Sequence, residues 1–305
     1  MKAGIVGAGA MGCLFEFFFH RAGIDSALYE SNRQMAHILK SSLNVRHGNI
    51  IEIIRPVIDS TPAVLQDSDI IFLFVKSYST DIAVRDILHI LRDDTILVSL
   101  QNGLGNREIL LKHLPPERVV FGSTSIGAHK TDEITVVLGG MGETLLGGEN
   151  PEAVGKVAAL LEEAGLSVDQ TDQAGRAIWK KVIINAGINP LGGVLNLENG
   201  KILGTPHAFQ LQERIVREAV QAANREGMQL EEEEMLEATR DVCRRTSSNV
   251  CSMLQDIRAG RKTEIDSING KIVESGETHG LDLPYNRTLW LLVKALESSR
   301  KKPSG

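Results

Sequence analysis

Lys181, Asn185 and Asn189 stand four residues apart in a segment, residues 179–190, that is otherwise largely apolar. Steps of four advance about 40° around an α-helix, so one ammonium and two amides share a single stripe. Burying an unpaired amide costs about 1–3 kcal/mol and an unpaired ammonium more, so the stripe must face something polar. A lysine with an ordinary pKa near about 10.4 is charged at neutral pH, and can polarise a carbonyl before protonating its oxygen. The competing reading is a stripe that only satisfies loop carbonyls. Pro190 and Gly187 are expected to loosen the last turn and aim Asn189 outward.

A second constellation opens the chain. Gly7, Ala8, Gly9, Ala10, Met11 and Gly12 follow the strand-like residues 2–6 and lead into a helical pattern. Strand, glycine turn and helix in that order suit a dinucleotide pyrophosphate: one glycine turns the chain, one admits phosphate to the backbone, and one packs helix on strand. The helix N-terminus adds unpaired N–H groups and partial positive charge. Asn102, in Gln101-Asn102-Gly103-Leu104-Gly105, and Lys76 both follow buried strand runs, where ligands gather at the carboxyl ends of parallel strands. Equally, Asn102 could be a turn residue and Lys76 a surface lysine. Ser252 and Glu264 lie in a polar stretch, residues 249–266, whose periodicity does not say what they do.

These groups need a scaffold. Continuous apolar runs at residues 26–29, 70–75 and 95–100 alternate with helical patterns, which indicates a parallel sheet covered on both faces. Shorter runs at 119–121, 133–138 and 144–146 read as an antiparallel edge of the same sheet. Past residue 170 strand-like runs give way to helical patterns, with Val216, Ala219, Val220 and Ala223 at helical spacing. The expected architecture is α/β: an N-terminal Rossmann-like doubly wound parallel sheet over residues 1–170, and a C-terminal all-helical domain over residues 171–305. Residues 299–305 lack apolar side chains and are expected to fray.

Composition narrows the partners. A net charge of −6 argues against a polyanion-binding surface, so nucleic acid is not expected. Cys13, Cys243 and Cys251 match no disulfide or zinc spacing, and the histidines add no ligand-spaced pair, so a reducing compartment and no metal are expected. The apolar residues 14–19 are too few for a span and carry Glu16, so the sequence is read as a cytoplasmic protein without membrane partner.

Taken together, the glycine turn, Lys76, the Gln101–Gly105 run, the Lys181/Asn185/Asn189-Pro190 stripe, Asn199-Gly200, residues 252–256 and residues 263–266 resemble the ketopantoate reductase (2-dehydropantoate 2-reductase) family over nearly the whole chain. The resemblance implies NADPH-dependent reduction of ketopantoate to pantoate, a step toward pantothenate and coenzyme A, by a monomer or homodimer. It makes Lys181 the general acid. Asn185, Asn189 and Asn199 then hold the small 2-keto acid, Ser252 its carboxylate, and Asn102 lies between cofactor and substrate. Lys76, Ala128 and Glu264 match cofactor-contacting positions. Where the family commonly has an arginine after the second strand, this chain has Tyr29-Glu30-Ser31-Asn32-Arg33; an acid there is placed to read the ribose of NAD, so NAD stands beside NADP as a candidate. Two further readings are a β-hydroxyacid dehydrogenase, which shares a lysine four residues before an asparagine, and a non-catalytic dinucleotide sensor, for which a general acid would be superfluous.

Overall fold

The computed structural model describes residues 1–299. The tail expected to fray lies outside them, except Ser299, which ends the last helix. The chain forms two compact units, one from Met1–Gln101 with Asn106–Ala177, the other from Asn102–Gly105 with the described residues from Ile178 onward. The division thus falls inside a helix, a few residues beyond the expected change of texture, and the short Asn102–Gly105 segment belongs with the helical unit.

The first unit runs β1 (Ala3–Val6), α1 (Ala10–Arg21), β2 (Ser26–Tyr29), α2 (Arg33–Ser41), β3 (Leu43–His47), β4 (Ile50–Ile54), β5 (Ile58–Asp59), β6 (Ile70–Leu73), α3 (Thr80–Ile87), β7 (Ile96–Ser99), α4 (Asn106–Leu111), β8 (Val119–Thr124), β9 (Gly127–Lys130), β10 (Thr135–Gly140), β11 (Thr144–Gly148), α5 (Pro151–Glu163) and β12 (Val168–Gln170). Its main sheet has the order β12-β11-β8-β7-β6-β1-β2-β5. All neighbours are parallel except β11 on β8. The six strands from β5 to β8 follow the doubly wound order, with its switch point between β1 and β6.

Two sequence expectations need correction. Val119–Phe121 lies parallel to β7 and is antiparallel only to β11: α4 intervenes after β7, and a crossover helix returns the chain in the parallel sense. Residues 133–138 are not in the main sheet at all, because β10 joins a second sheet of order β4-β3-β10-β9.

That second sheet explains α1. Leu14, Phe15, Phe17, Phe18 and Phe19 are all buried, so the helix is apolar around most of its circumference, as a helix enclosed on two sides must be. Phe15 packs on Phe74 at 4.5 Å and Phe72 at 6.1 Å, whereas Phe17 turns to His47 of β3 at 6.4 Å. Each buried phenylalanine contributes about 1.5–3 kcal/mol.

Glu16 breaks this pattern. It is 1% exposed, and burial pushes its carboxyl up to about 8 although the Ser26 hydroxyl pulls the other way; its Oε2 has no partner among the described residues. A folded-state pKa above the unfolded one means that the native state holds the extra proton, so stability is greatest below the unfolded pKa and falls as pH rises from about 4.5 to about 8. Glu16→Gln should flatten that part of the Tm–pH curve and raise Tm at pH 7.5. Superimposable curves for the two proteins would show that Glu16 does not titrate in this window.

The helical unit contains most of α6 (Ala174–Leu195), then α7 (Asn199–Gly204), α8 (Pro206–Arg225), α9 (Glu232–Arg245), α10 (Ser252–Arg258), a π-helical turn (Asp266–Gly270), α11 (Lys271–Thr278) and α12 (Pro284–Ser299). Helix α8 is its hub, packing on α7, α9, α11 and α12. Buried Glu218 of α8 accepts from the Tyr285 and Asn286 N–H groups at 2.9 and 2.8 Å, satisfying the orphan donors that open α12. Acidic residues in the first turn of α9 are paired: Glu232 meets Arg217 at 2.9 Å and Glu234 meets Lys180 at 2.5 Å. Among the described residues no helix is long and apolar enough to cross a membrane, and no group of three or more His, Cys, Asp or Glu could hold a metal ion.

Candidate functional site

Three glycines in the turn after β1 do three different jobs. Gly7 has φ +98°, and a Cβ there would sit 2.9 Å from Val75 Cγ1, so only glycine both turns and fits. At Gly12 a Cβ would lie 1.9 Å from the Gly7 carbonyl oxygen, which fixes the close approach of α1 to the turn. Gly9 is different. Its nearest neighbour would be 3.7 Å away, and it is exposed, so its missing side chain leaves backbone open on the solvent side. Gly9 also caps α1 without a side-chain hydrogen bond, and the first turn of α1 has no acidic residue. The orphan N–H groups of that turn therefore suit an anionic pyrophosphate, with Ala8, Ala10 and Met11 small or apolar around them.

Glu30, just past β2, is built into the same turn. Its Oε2 accepts from the Ala8 N–H at 2.9 Å and its Oε1 from the Asn32 N–H at 2.9 Å. Asn32 is in turn committed to α2, whose Met35 N–H it accepts at 3.1 Å. Arg33, exposed in the first turn of α2, is the cation nearest in sequence to this carboxylate. Half-buried Lys76 caps the short helical turn after β6. Ala128 lies on β9 of the smaller sheet, against the core around α1. The glycine turn among them fits the pyrophosphate of a dinucleotide.

In the helical unit, α6 carries Lys181, Asn185 and Asn189 on one side. The helix continues through Pro190 to Leu195, so Asn189 is buried and not aimed outward as the sequence suggested. Packing overrides the local break. A Cβ at Gly187 would lie 2.9 Å from Val216, and one at Gly193 2.8 Å from Ile257, so the glycines let α8 and α10 press close and hold α6 straight enough to continue. Lys181 and Asn185 are half-buried. Burial draws the Lys181 ammonium down from 10.5 to about 8, and the Glu264 carboxylate works against that shift.

Asn199 opens α7. Its N–H donates to Asn249 O at 3.0 Å and its Nδ2 to Thr246 Oγ1 at 2.8 Å, while its Oδ1 is buried without a partner among the described residues. Exposed Ser252 begins α10 directly after Cys251, whose thiol reaches the Asn189 carbonyl at 3.5 Å, so this helix start adjoins the end of the stripe. Glu264 is buried beside the π-helical turn. Asn102 is half-buried at the head of Asn102–Gly105. Sequence reasoning missed Ser267, whose carbonyl takes the Leu104 N–H at 2.8 Å, because a π turn leaves no periodicity of its own.

A doubly wound sheet with a phosphate-ready glycine turn, joined to a helical unit that carries a half-buried, depressed lysine, defines a nicotinamide-dinucleotide oxidoreductase. Residues 3–150 match the family described as Ketopantoate reductase PanE/ApbA, and residues 174–297 match its C-terminal part. The chain is 36% identical to a 2-dehydropantoate 2-reductase of Pyrococcus horikoshii, covering 98% of both chains. It is 34% identical to one of Halobacterium salinarum, covering 96% of this chain and 98% of the other. Among solved structures, D-mandelate dehydrogenase with NADH and anilino(oxo)acetate superposes with a TM-score of 0.93 at 29% identity, over 99% of this chain and 100% of that one. A PanE/ApbA family ketopantoate reductase from Ralstonia eutropha gives 0.92 at 27% identity, with the same coverage. The chain belongs to the ketopantoate reductase family.

Proposed function

We propose that this chain reduces the 2-keto group of 2-dehydropantoate to give pantoate, a step toward pantothenate and coenzyme A. The observation that carries this reading is Lys181, drawn down to about 8 on the polar stripe of α6. A group poised there is charged at neutral pH, yet surrenders its proton more readily than an ordinary lysine. When bound, the reduced nicotinamide supplies the hydride that arrives at C2. Lys181 polarises the carbonyl oxygen and then protonates it. Asn185 and Asn189 orient the substrate from the same helix, and the unpartnered Asn199 Oδ1 accepts from its hydroxyl. Ser252 holds the carboxylate at the start of α10. Asn102 binds ligand, and Lys76, Ala128 and Glu264 are assigned to the dinucleotide.

The held position of Glu30 leads us to infer that NADH serves at least as well as NADPH, since a 2′-phosphate would meet a carboxylate fixed by two N–H groups. The same residue, with the similarity to D-mandelate dehydrogenase in complex with NADH, favours a second reading in which another 2-keto acid is the substrate. The two readings part in an assay of 2-dehydropantoate, its analogue lacking the hydroxyl, and phenylglyoxylate, each with NADH and NADPH. We expect 2-dehydropantoate to have the highest kcat/KM and the analogue to lose tenfold or more, because it leaves a buried acceptor unpaired, at a cost of about 1–3 kcal/mol. Preference for phenylglyoxylate would transfer the assignment to the second reading.

A further inference from the structure

Asn102–Gly105 belongs to the helical unit because the π-helical turn Asp266–Gly270 holds it there. In such a turn an N–H reaches five residues back, as Gly270 does to Ile265 O at 3.0 Å, and this rare widened backbone occurs frequently at functional sites. Here the Ser267 carbonyl accepts from the Leu104 N–H at 2.8 Å, two residues after Asn102 in sequence. Gly103 lies flat on the same residue. It has φ +87°, and a Cβ there would sit 2.6 Å from Ser267 Oγ, 2.7 Å from its Cβ and 2.8 Å from its carbonyl oxygen. Ser267 cannot step aside, since its N–H and hydroxyl both donate to the Glu264 carbonyl, at 3.1 and 3.0 Å.

The turn is also braced from its other side. Asp266 accepts from Trp290 Nε1 at 2.8 Å and from Lys294 Nζ at 2.8 Å, and Thr263 donates through its N–H and hydroxyl to Glu297 at 2.7 Å each. These contacts tie both ends of the 263–267 stretch to α12. A rare backbone turn, an obligatory glycine and a side brace therefore converge on one short loop.

We infer that the π-helical turn is the positioning element for Asn102, with Ser267 as the positioning residue and Gly103 as the position that must stay side-chain-free to seat on it. This rests on the reading that Asn102 binds ligand. A double-mutant cycle with 2-dehydropantoate tests it: Asn102→Ala, Gly103→Ala and the pair, with kcat, KM, dinucleotide Kd and Tm measured for each. Asn102→Ala and Gly103→Ala should each lower kcat/KM by about 10–100-fold, and the pair should be no worse than the poorer single variant. Gly105→Ala is the control for backbone strain alone, because Gly105 has φ +93° but faces only the flexible Lys271 Cε at 3.2 Å. It should cost less than about threefold. Should Gly103→Ala fail to fold, Trp290→Phe removes the brace on Asp266 while keeping the ring, and its loss of kcat/KM should likewise vanish in the Asn102→Ala background. Losses that multiply with Asn102→Ala, or no loss for either Gly103→Ala or Trp290→Phe, overturn the inference. A silent Asn102→Ala overturns the ligand-binding reading beneath it.

Discussion

Replacing Lys181 by Ala is expected to lower kcat by about 10²–10⁴ while leaving the dinucleotide Kd nearly unchanged, which is the contribution of a positioned general acid. The pH profile gives an independent check. Reduction requires the protonated form, so kcat/KM should be level below pH 8 and decline above it as Lys181, held at about 8, loses its proton. Glu264 pushes that value up, so Glu264→Gln should move the decline to lower pH. Stability runs the other way. A lysine whose folded pKa lies below its unfolded one costs stability at neutral pH, and that cost is relieved as pH rises from about 8 to 10.5, where the unfolded chain binds more protons. Lys181→Met, which keeps the apolar stem, should therefore hold or raise Tm at pH 7 while abolishing turnover. A variant that retained near-normal kcat, or a profile with no decline near pH 8, would remove Lys181 from proton transfer.

Much of the site was legible because its signals are local. A glycine turn after a strand, and amides at helical spacing after a lysine, each lie within a dozen residues and carry their own periodicity. What escaped was long-range. Residues 43–54 form a hairpin whose sheet is completed by β9 and β10, some eighty residues later, so α1 looked like an ordinary buried helix when it is covered by two sheets. Asn189 was misread for the same reason: Pro190 is a local breaker, but close packing against α8 and α10 decides the course of α6. The seat of Gly103 on Ser267 joins positions more than 160 residues apart and shows in sequence only as a glycine, a residue with many other uses.

The charge at Glu30 should decide between dinucleotides. Two unit charges 4 Å apart repel by about 1 kcal/mol in water and several-fold more at the lower effective dielectric of a protein surface. A factor of ten corresponds to about 1.4 kcal/mol, so this one carboxylate can shift the kcat/KM ratio of NADPH to NADH by about 10–100-fold. Swinging away would relieve the repulsion, but only by leaving the Ala8 and Asn32 N–H groups without their acceptor, and the Ala8 N–H belongs to the glycine turn itself. Asn32 offers no help, since its side chain caps α2. Arg33 is left as the cation that could make a charge-assisted contact with a 2′-phosphate. In the wild type the ratio should thus be near one or below. Glu30→Ala should raise it at least tenfold, and Arg33→Ala should lower it. Because Glu30→Ala also frees the Ala8 N–H and disturbs the turn for both dinucleotides alike, the ratio is the quantity that isolates the charge. If neither substitution moves it, the end of β2 does not read the ribose and cofactor choice must be set elsewhere in the first unit.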